Sequence, residues 1–203
     1  MELFFSFEHD FYLTGGTCLS RFYQGKRYSD DLDLFTNESN IFGFTIKKIK
    51  SLFSTSFDLK IEIEAKDFCR LKIDKFLQVD LVNDRTPYFR QPVILDNGYA
   101  IDNIENILSN KLTAIIGRDD PKDIFDILLI AENYEFKWRE IIAAAQKKSA
   151  FNLEDLIAKL ESFPVALLSG INLIDTGYLG NFTTRFAVVR DNILEGNNNV
   201  PNC

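Results

Sequence analysis

The chain has 203 residues, 46% of them hydrophobic and 26% charged, which excludes an intrinsically disordered chain and gives the length of one domain or two small ones. Its 23 Lys+Arg stand against 30 Asp+Glu, a formal net charge of −7, so it cannot hold nucleic acid by broad phosphate neutralisation and any such contact has to be local. At this size folding buries roughly 70% of the surface of the unfolded chain, so the core needs no metal or disulfide staple.

In chain order, Phe11-Tyr-Leu-Thr14 reads as a short strand ending at Gly15-Gly16, after which Thr17 opens a segment of helical spacing closed by Gly25. Asp31-Leu-Asp-Leu-Phe35 alternates with period two and predicts a strand, and Ile41 to Phe53 predicts a helix carrying Lys47, Lys48 and Lys50. From Phe57 the alternation runs through Ile63, then Cys69 to Ile73, then Leu77 to Leu81, which predicts three adjacent antiparallel strands. Asp96-Asn97-Gly98 is a hairpin turn signal that closes the β-rich part near residue 101. Helical patterns follow at 104–117, 121–134, 137–148 and 153–163, with shorter pieces to about Leu194. The change in composition predicts a boundary near residue 134 and a frayed tail over 196–203. Cys18, Cys69 and Cys203 are odd in number and lack zinc-site spacing, which fits a reducing compartment. The first five residues lack a basic n-region and no apolar run approaches the ~20 residues of a membrane helix, so the expected location is cytoplasmic, without a membrane partner.

The chemistry concentrates at three acids. Asp31 and Asp33 are two positions apart on a strand, so both carboxylates leave the same face with Cα atoms ~6.6 Å apart. Asp80 lies inside the run Phe76-Leu-Gln-Val-Asp-Leu-Val82, where an acid works against strand propensity; with Leu77, Val79 and Leu81 facing the core it shares the other face with Gln78. Three convergent carboxylates suit hard cations, and a Mg²⁺ pair ~4 Å apart is a common device for nucleotidyl displacement. The plain alternative is a set of solvated acids on an exposed strand face. An EF-hand is a poorer match, since Asp31-Leu-Asp33 lacks its glycine and later glutamate. Gly15-Gly16-Thr17 would set a turn at a helix N-terminus, where backbone N–H groups favour a phosphate, although a Gly-Gly turn also serves as simple connection.

The order of these features carries a resemblance. Residues 11–35, FYLTGGTCLSRFYQGKRYSDDLDLF, resemble the opening motif of the AbiEii/AbiGii toxin family of nucleotidyltransferases, in which a Gly-Gly-Thr or Gly-Ser turn precedes a Ser-x-Asp-x-Asp strand. Glu105 to Arg118 and Pro121 to Asp126 resemble the family's later Lys-x-x-Ala-x-x-x-Arg and (Arg/Lys)-Asp-x-x-Asp segments, with Lys122 where arginine is usual. The resemblance, which spans about residues 11–130, implies an α+β fold with a mixed-sheet nucleotidyltransferase core flanked by helices; with the composition boundary this core is expected over 1–134, and helical spacing and composition predict a helical bundle over 135–195 and a flexible tail over 196–203. It implies that Asp31, Asp33 and Asp80 hold one or two Mg²⁺, with Mn²⁺ as an alternative, while Gly15, Gly16, Thr17, Ser29, Lys111 and Arg118 meet the nucleoside triphosphate. It also implies a cognate antitoxin as partner and an RNA hydroxyl, tRNA first, as acceptor. Small-molecule or protein acceptors, and an inactive nucleotide-binding protein, are the competing readings.

Residue chemistry gives an independent view of the second stretch. Lys111 falls inside the apolar stripe of its helix, three residues after Leu108 and four before Ile115, so it needs a bound triphosphate or an acid beside it. Arg118 shares that face one heptad on. Asp120-Pro121 predicts an N-cap with proline at the first helical position, which leaves Asp123 a structural role in the first turn. Asp126, enclosed by apolar residues, calls for either a catalytic role or a salt bridge to Lys111 or Arg118. His9, the single histidine, has no serine or cysteine motif to activate, so it is not placed in catalysis. Lys47, Lys48, Lys50, Lys60, Arg70 and Lys72 form either a basic rim for RNA or an ordinary solvated face.

Overall fold

The structure is a computed structural model, and it describes residues 1–201. The chain divides into two compact units: Met1–Leu19 joined by Ser29–Asn103, and Ser20–Tyr28 joined by Ile104 onward.

The first unit is built on a seven-stranded mixed sheet. Its strands are β1 (Tyr12–Thr14), β2 (Asp31–Asn37), β3 (Leu59–Glu64), β4 (Phe68–Ile73), β5 (Leu77–Asp84), β6 (Val93–Ile94) and β7 (Ala100–Ile101), arranged β3-β4-β5-β2-β1-β7-β6. The expected antiparallel trio is β3-β4-β5, followed by the β6–β7 hairpin around Asn97-Gly98. In the middle of the sheet β2 runs parallel to β5, so strand pairing brings the first Asp-x-Asp against a segment nearly fifty residues later, in register Leu32 with Val79 and Asp33 with Asp80. A short α1 (Gly15–Cys18) runs into a π-helical turn, Leu19–Tyr23, so the helix begins at Gly15 itself. Helix α2 (Phe42–Ser54) buries Phe42, Ile46, Ile49 and Phe53, spaced at three and four residues, and seats Phe42 on Phe11 and Phe53 on Phe4.

The second unit contains α3 (Ile104–Gly117), α4 (Pro121–Asn133), α5 (Trp138–Lys148), α6 (Leu153–Ser162) and α7 (Phe182–Glu195). Asp120 caps α4 as its sequence predicts, accepting from the Lys122 backbone N–H at 2.9 Å. Helix α3 packs against α4, α5 and α6. Lys148 of α5 ties itself to α3 through Asn106, Ser109 and Asn110 at 2.5–2.6 Å. Because α3 shares its apolar face with the later helices, the division falls at Asn103/Ile104 and not near residue 134. The segment Ser20–Tyr28 belongs here as well: Gln24 Nε2 donates to the Leu129 carbonyl at 3.0 Å and the Tyr28 N–H to the Asn172 carbonyl at 2.9 Å. The expected loose tail is partly ordered. Asn198–Asn199 pairs with Phe136–Lys137, and the buried Asn199 amide donates to the carbonyls of Ala131 and Tyr134, both at 2.7 Å, which removes polar groups from water only because they are paired.

Cys18 and Cys69 are buried and free, and burial pushes both thiols up, Cys69 to about 11; Cys203 lies outside the described residues. No helix among the described residues is long and apolar enough to cross a membrane.

Candidate active site

Strand alternation dictates the first half of the site. In β2, Leu34 is buried on the side of the sheet that α2 covers, so Asp31 and Asp33 point from the other face. Register then sets a row across that face: Thr14 beside Asp33, Asp33 beside Asp80, Asp80 beside Arg70. One pleat along, Asp31 stands beside Gln78, Gln78 beside Lys72, and Lys72 beside Lys60. All three acids singled out by sequence therefore leave one face, with Asp31 exposed, Asp33 half-buried and Asp80 buried.

Their surroundings differ. Arg70 grips Asp80 with a bidentate pair, Nε to Oδ1 at 2.7 Å and Nη2 to Oδ2 at 2.6 Å, and Gln78 Nε2 adds a third donor at 3.3 Å. The Asp80 hydrogen bond, helped by the charges of Asp80 and Asp31, holds the Arg70 guanidinium above its ordinary value. Among the described residues no three His, Cys, Asp or Glu side chains are grouped as a metal-binding cluster. Two oxygen-donor carboxylates on one face do fit a hard divalent cation, since Mg²⁺ is held by one or two carboxylates together with substrate phosphates.

Gly15 is shaped around this row. Its φ of +69° is a left-handed conformation, and a Cβ there would lie 2.3 Å from Asp33 Oδ2, so only glycine lets the carboxylate lie over the backbone. Thr17, buried on α1, donates its hydroxyl to the Asp31 carbonyl, which pins the start of β2 to the turn. Thr14 donates to the fully buried Asp102 at 2.5 Å. Gly16 and Ser29 are half-buried, Ser29 in the loop leading into β2.

The second unit holds a separate ionic cluster. Lys111 on α3 donates to Asp123 and Asp126 on α4, each at 2.7 Å. Arg27 closes on Asp126 with two bonds of 2.7 Å, and Arg118 on Asp123 through Nε and Nη2, both at 2.7 Å. Asp123 and Asp126 are sealed from solvent, Arg27 nearly so, whereas the Arg118 side chain is 58% exposed. Burial alone would push the Asp126 carboxyl up, but Lys111 and Arg27 outweigh it and hold it below the ordinary carboxylate value. Burial likewise pulls on Lys111, and Asp126 and Asp123 keep its ammonium above the ordinary lysine value. Asp120 adds its charge to the field that Asp126 and Asp123 set up around Arg27 and helps hold that guanidinium above its ordinary value.

Three contributors escape a reading by sequence alone. Arg27 sits within the opening motif, yet its partner is 99 residues away. Arg70 counts as one of six basic residues until the β4–β5 register places it opposite Asp80; fixing the length of the turn after Ile73 would have found it. Asp123, expected to serve only the helix dipole, is a member of the buried cluster. His9 instead builds the N-terminal packing, ringed by Phe4, Phe5, Phe7 and Phe11, with Nδ1 accepting from the Phe11 N–H at 3.2 Å and Nε2 facing the Phe4 carbonyl at 3.0 Å.

Comparison with known proteins bears on the fold and the family. No curated protein sequence matches the chain. Two solved structures from Helicobacter pylori share the fold. One, JHP933, is 22% identical, with 93% of this chain and 85% of that one covered at a TM-score of 0.59. The other, a putative nucleotidyltransferase, is 20% identical, with 93% and 89% covered at a TM-score of 0.58. The MenT4 nucleotidyltransferase toxin of Mycobacterium tuberculosis is 14% identical, with 91% of this chain and 76% of that one covered at a TM-score of 0.57. The family profile described as nucleotidyl transferase AbiEii toxin, type IV TA system, matches residues 3–169, a span that includes the acid row and the buried ionic cluster, and the chain belongs to that family of nucleotidyltransferase toxins.

Proposed function

We propose that the chain moves a nucleoside monophosphate from a nucleoside triphosphate onto a hydroxyl acceptor, the 3′ end of a tRNA in the first instance, with a cognate antitoxin as its protein partner. The observation that carries this reading is the Asp33–Asp80 register, with Asp31 on the same face and Gly15 cleared to receive Asp33. Asp31 and Asp33 are the residues that would hold Mg²⁺ or Mn²⁺, with Asp80 joining them when Arg70 turns to a phosphate. A divalent ion bound there polarises the α-phosphate and offsets the charge of the triphosphate.

The chain's own groups account for the remainder. Gly15, Gly16, Thr17 and Ser29 offer backbone and hydroxyl donors to phosphate oxygens. Lys111 and Arg118 are the cations assigned to the charge of the triphosphate, each held in place by an ion pair, Lys111 with Asp123 and Asp126 and Arg118 with Asp123. The acceptor oxygen attacks the α-phosphorus, its proton passes to the Asp80 carboxylate, and the bond to the pyrophosphate oxygen breaks with the electron pair leaving on pyrophosphate. A polyanionic acceptor is favoured by the basic residues beyond Asp31, where Lys72 and Lys60 are paired directly across strands and Lys60 also meets Glu62 at 3.3 Å.

Purified protein with Mg²⁺, each α-labelled nucleoside triphosphate and total cellular RNA tests the reading on a denaturing gel. Label on a tRNA-sized band, absent from Asp31→Ala/Asp33→Ala protein, is the expected result. Label on protein or on a small molecule would redirect the acceptor, and triphosphate binding without any product would overturn transfer itself.

A further inference from the structure

Behind the acid-bearing face, on the side of the sheet that α2 covers, the first unit carries a pocket of about 290 Å³ that opens to solvent beside Phe76. Its floor is Leu32 and Leu34 of β2 with Val79 of β5, and its walls include Phe4 from the N-terminal turn and Phe53 and Phe57 at the end of α2. The one charged side chain on its lining is Asp74, at the β4–β5 turn, where Asp74 and Lys75 adopt φ of 49° and 66° and the next residue, Phe76, is 83% exposed at the mouth. One Asp74 oxygen already accepts from the Asp58 N–H at 2.9 Å, leaving the other to meet a donor.

A concave pocket of this size lined mainly by apolar and aromatic side chains, with few polar groups, has the make-up of a small-molecule site. At roughly 30 Å³ for each water-sized group, the space suits a body of about nine or ten heavy atoms. The aromatic walls favour a flat ring system, and the lone carboxylate favours a neutral ligand with a single N–H or O–H donor at its edge.

We infer that this cavity is a ligand site for a small neutral bicyclic aromatic with one hydrogen-bond donor, and that its occupancy is felt by the acid face. The coupling follows from strand alternation: Leu32 and Leu34 alternate with Asp31 and Asp33, and Val79 precedes Asp80, so a guest pressing on the floor bears on the residues whose neighbours carry the carboxylates. The site stands whatever the acceptor of the transferase proves to be.

Indole is the probe, titrated into the full-length protein and followed by methyl and amide NMR. The expected result is saturable shifts of the Leu32, Leu34 and Val79 methyls, with the Asp31, Asp33 and Asp80 amides moving along the same binding curve. Leu77→Trp, which fills the cavity from β5, should weaken indole at least tenfold while methyl dispersion stays native. If that variant does not fold, Phe57→Trp at the rim replaces it and carries the same expectation. Absence of saturation, shifts confined to other methyls, or undiminished affinity in a folded filled variant would overturn the site; lining shifts without the three amides would overturn the coupling.

Discussion

The molecule places its acids in two contrasting settings. On the sheet, Asp31 is exposed and Asp33 half-buried on one strand face that water reaches. In the helical unit, Asp123 and Asp126 are sealed from solvent and held by Lys111, Arg27 and Arg118. The same side chain thus stays open to water in one place and serves as a structural tie in the other. Asp80, gripped by Arg70 yet next in register to Asp33, lies between the two cases.

The largest expected effect separates the settings outright. Asp126→Asn leaves Arg27 and Lys111 buried against a neutral amide and should cost about 3–5 kcal/mol in urea unfolding, whereas Asp31→Asn should stay within about 0.5 kcal/mol. Equal losses from the two would break the comparison. Gly15→Ala comes next: it forces a Cβ onto Asp33 in a left-handed backbone, and should cost about 1–3 kcal/mol together with nucleotidyl transfer. Asp33→Asn sharpens the contrast further, with stability changed by less than about 1 kcal/mol while transfer falls on the order of 10²–10³-fold, measured as label incorporated per minute.

The smallest effects are in the pH profile, and both lie on the acid side. Burial lowers His9 below its ordinary 6.5, so its contribution is complete above that value and fades as pH falls through the lower folded value. Asp126 is held below its ordinary 3.8, so its contribution is complete above that point and is lost only on further acidification. Denaturant titrations at stepped pH should show a shallow decline first and a steep one later. His9→Gln should flatten the first alone, and a first decline that survives this substitution would assign it to another group.

Much of this could be read from sequence because it is local. The alternation of β3 to β5, the Asp-x-Asp of β2 and the Asp120-Pro121 start of α4 each depend on neighbours within a few residues. The parallel pairing of β2 with β5, the Arg27–Asp126 clasp and the grouping of α3 with the later helices depend on contacts across dozens of residues, which periodicity does not encode. The tail misled for a related reason: Gly196-Asn-Asn-Asn has the composition of a frayed end, and only the carbonyls of Ala131 and Tyr134 give Asn199 a place to bond.

The early excursion of Ser20–Tyr28 into the helical unit bears on how the protein is made. On the ribosome this stretch emerges long before Asp126, its ion-pair partner, so Arg27 waits without that partner while β2 to β7 of the sheet unit are synthesised. Contacts of such sequence separation raise contact order and slow the step that forms them. The helical unit should therefore be the last to lock, and no single cut in the chain yields it intact: a fragment starting at Ile104 lacks Gln24 and Arg27, while one ending at Asn103 carries both with nothing to bind.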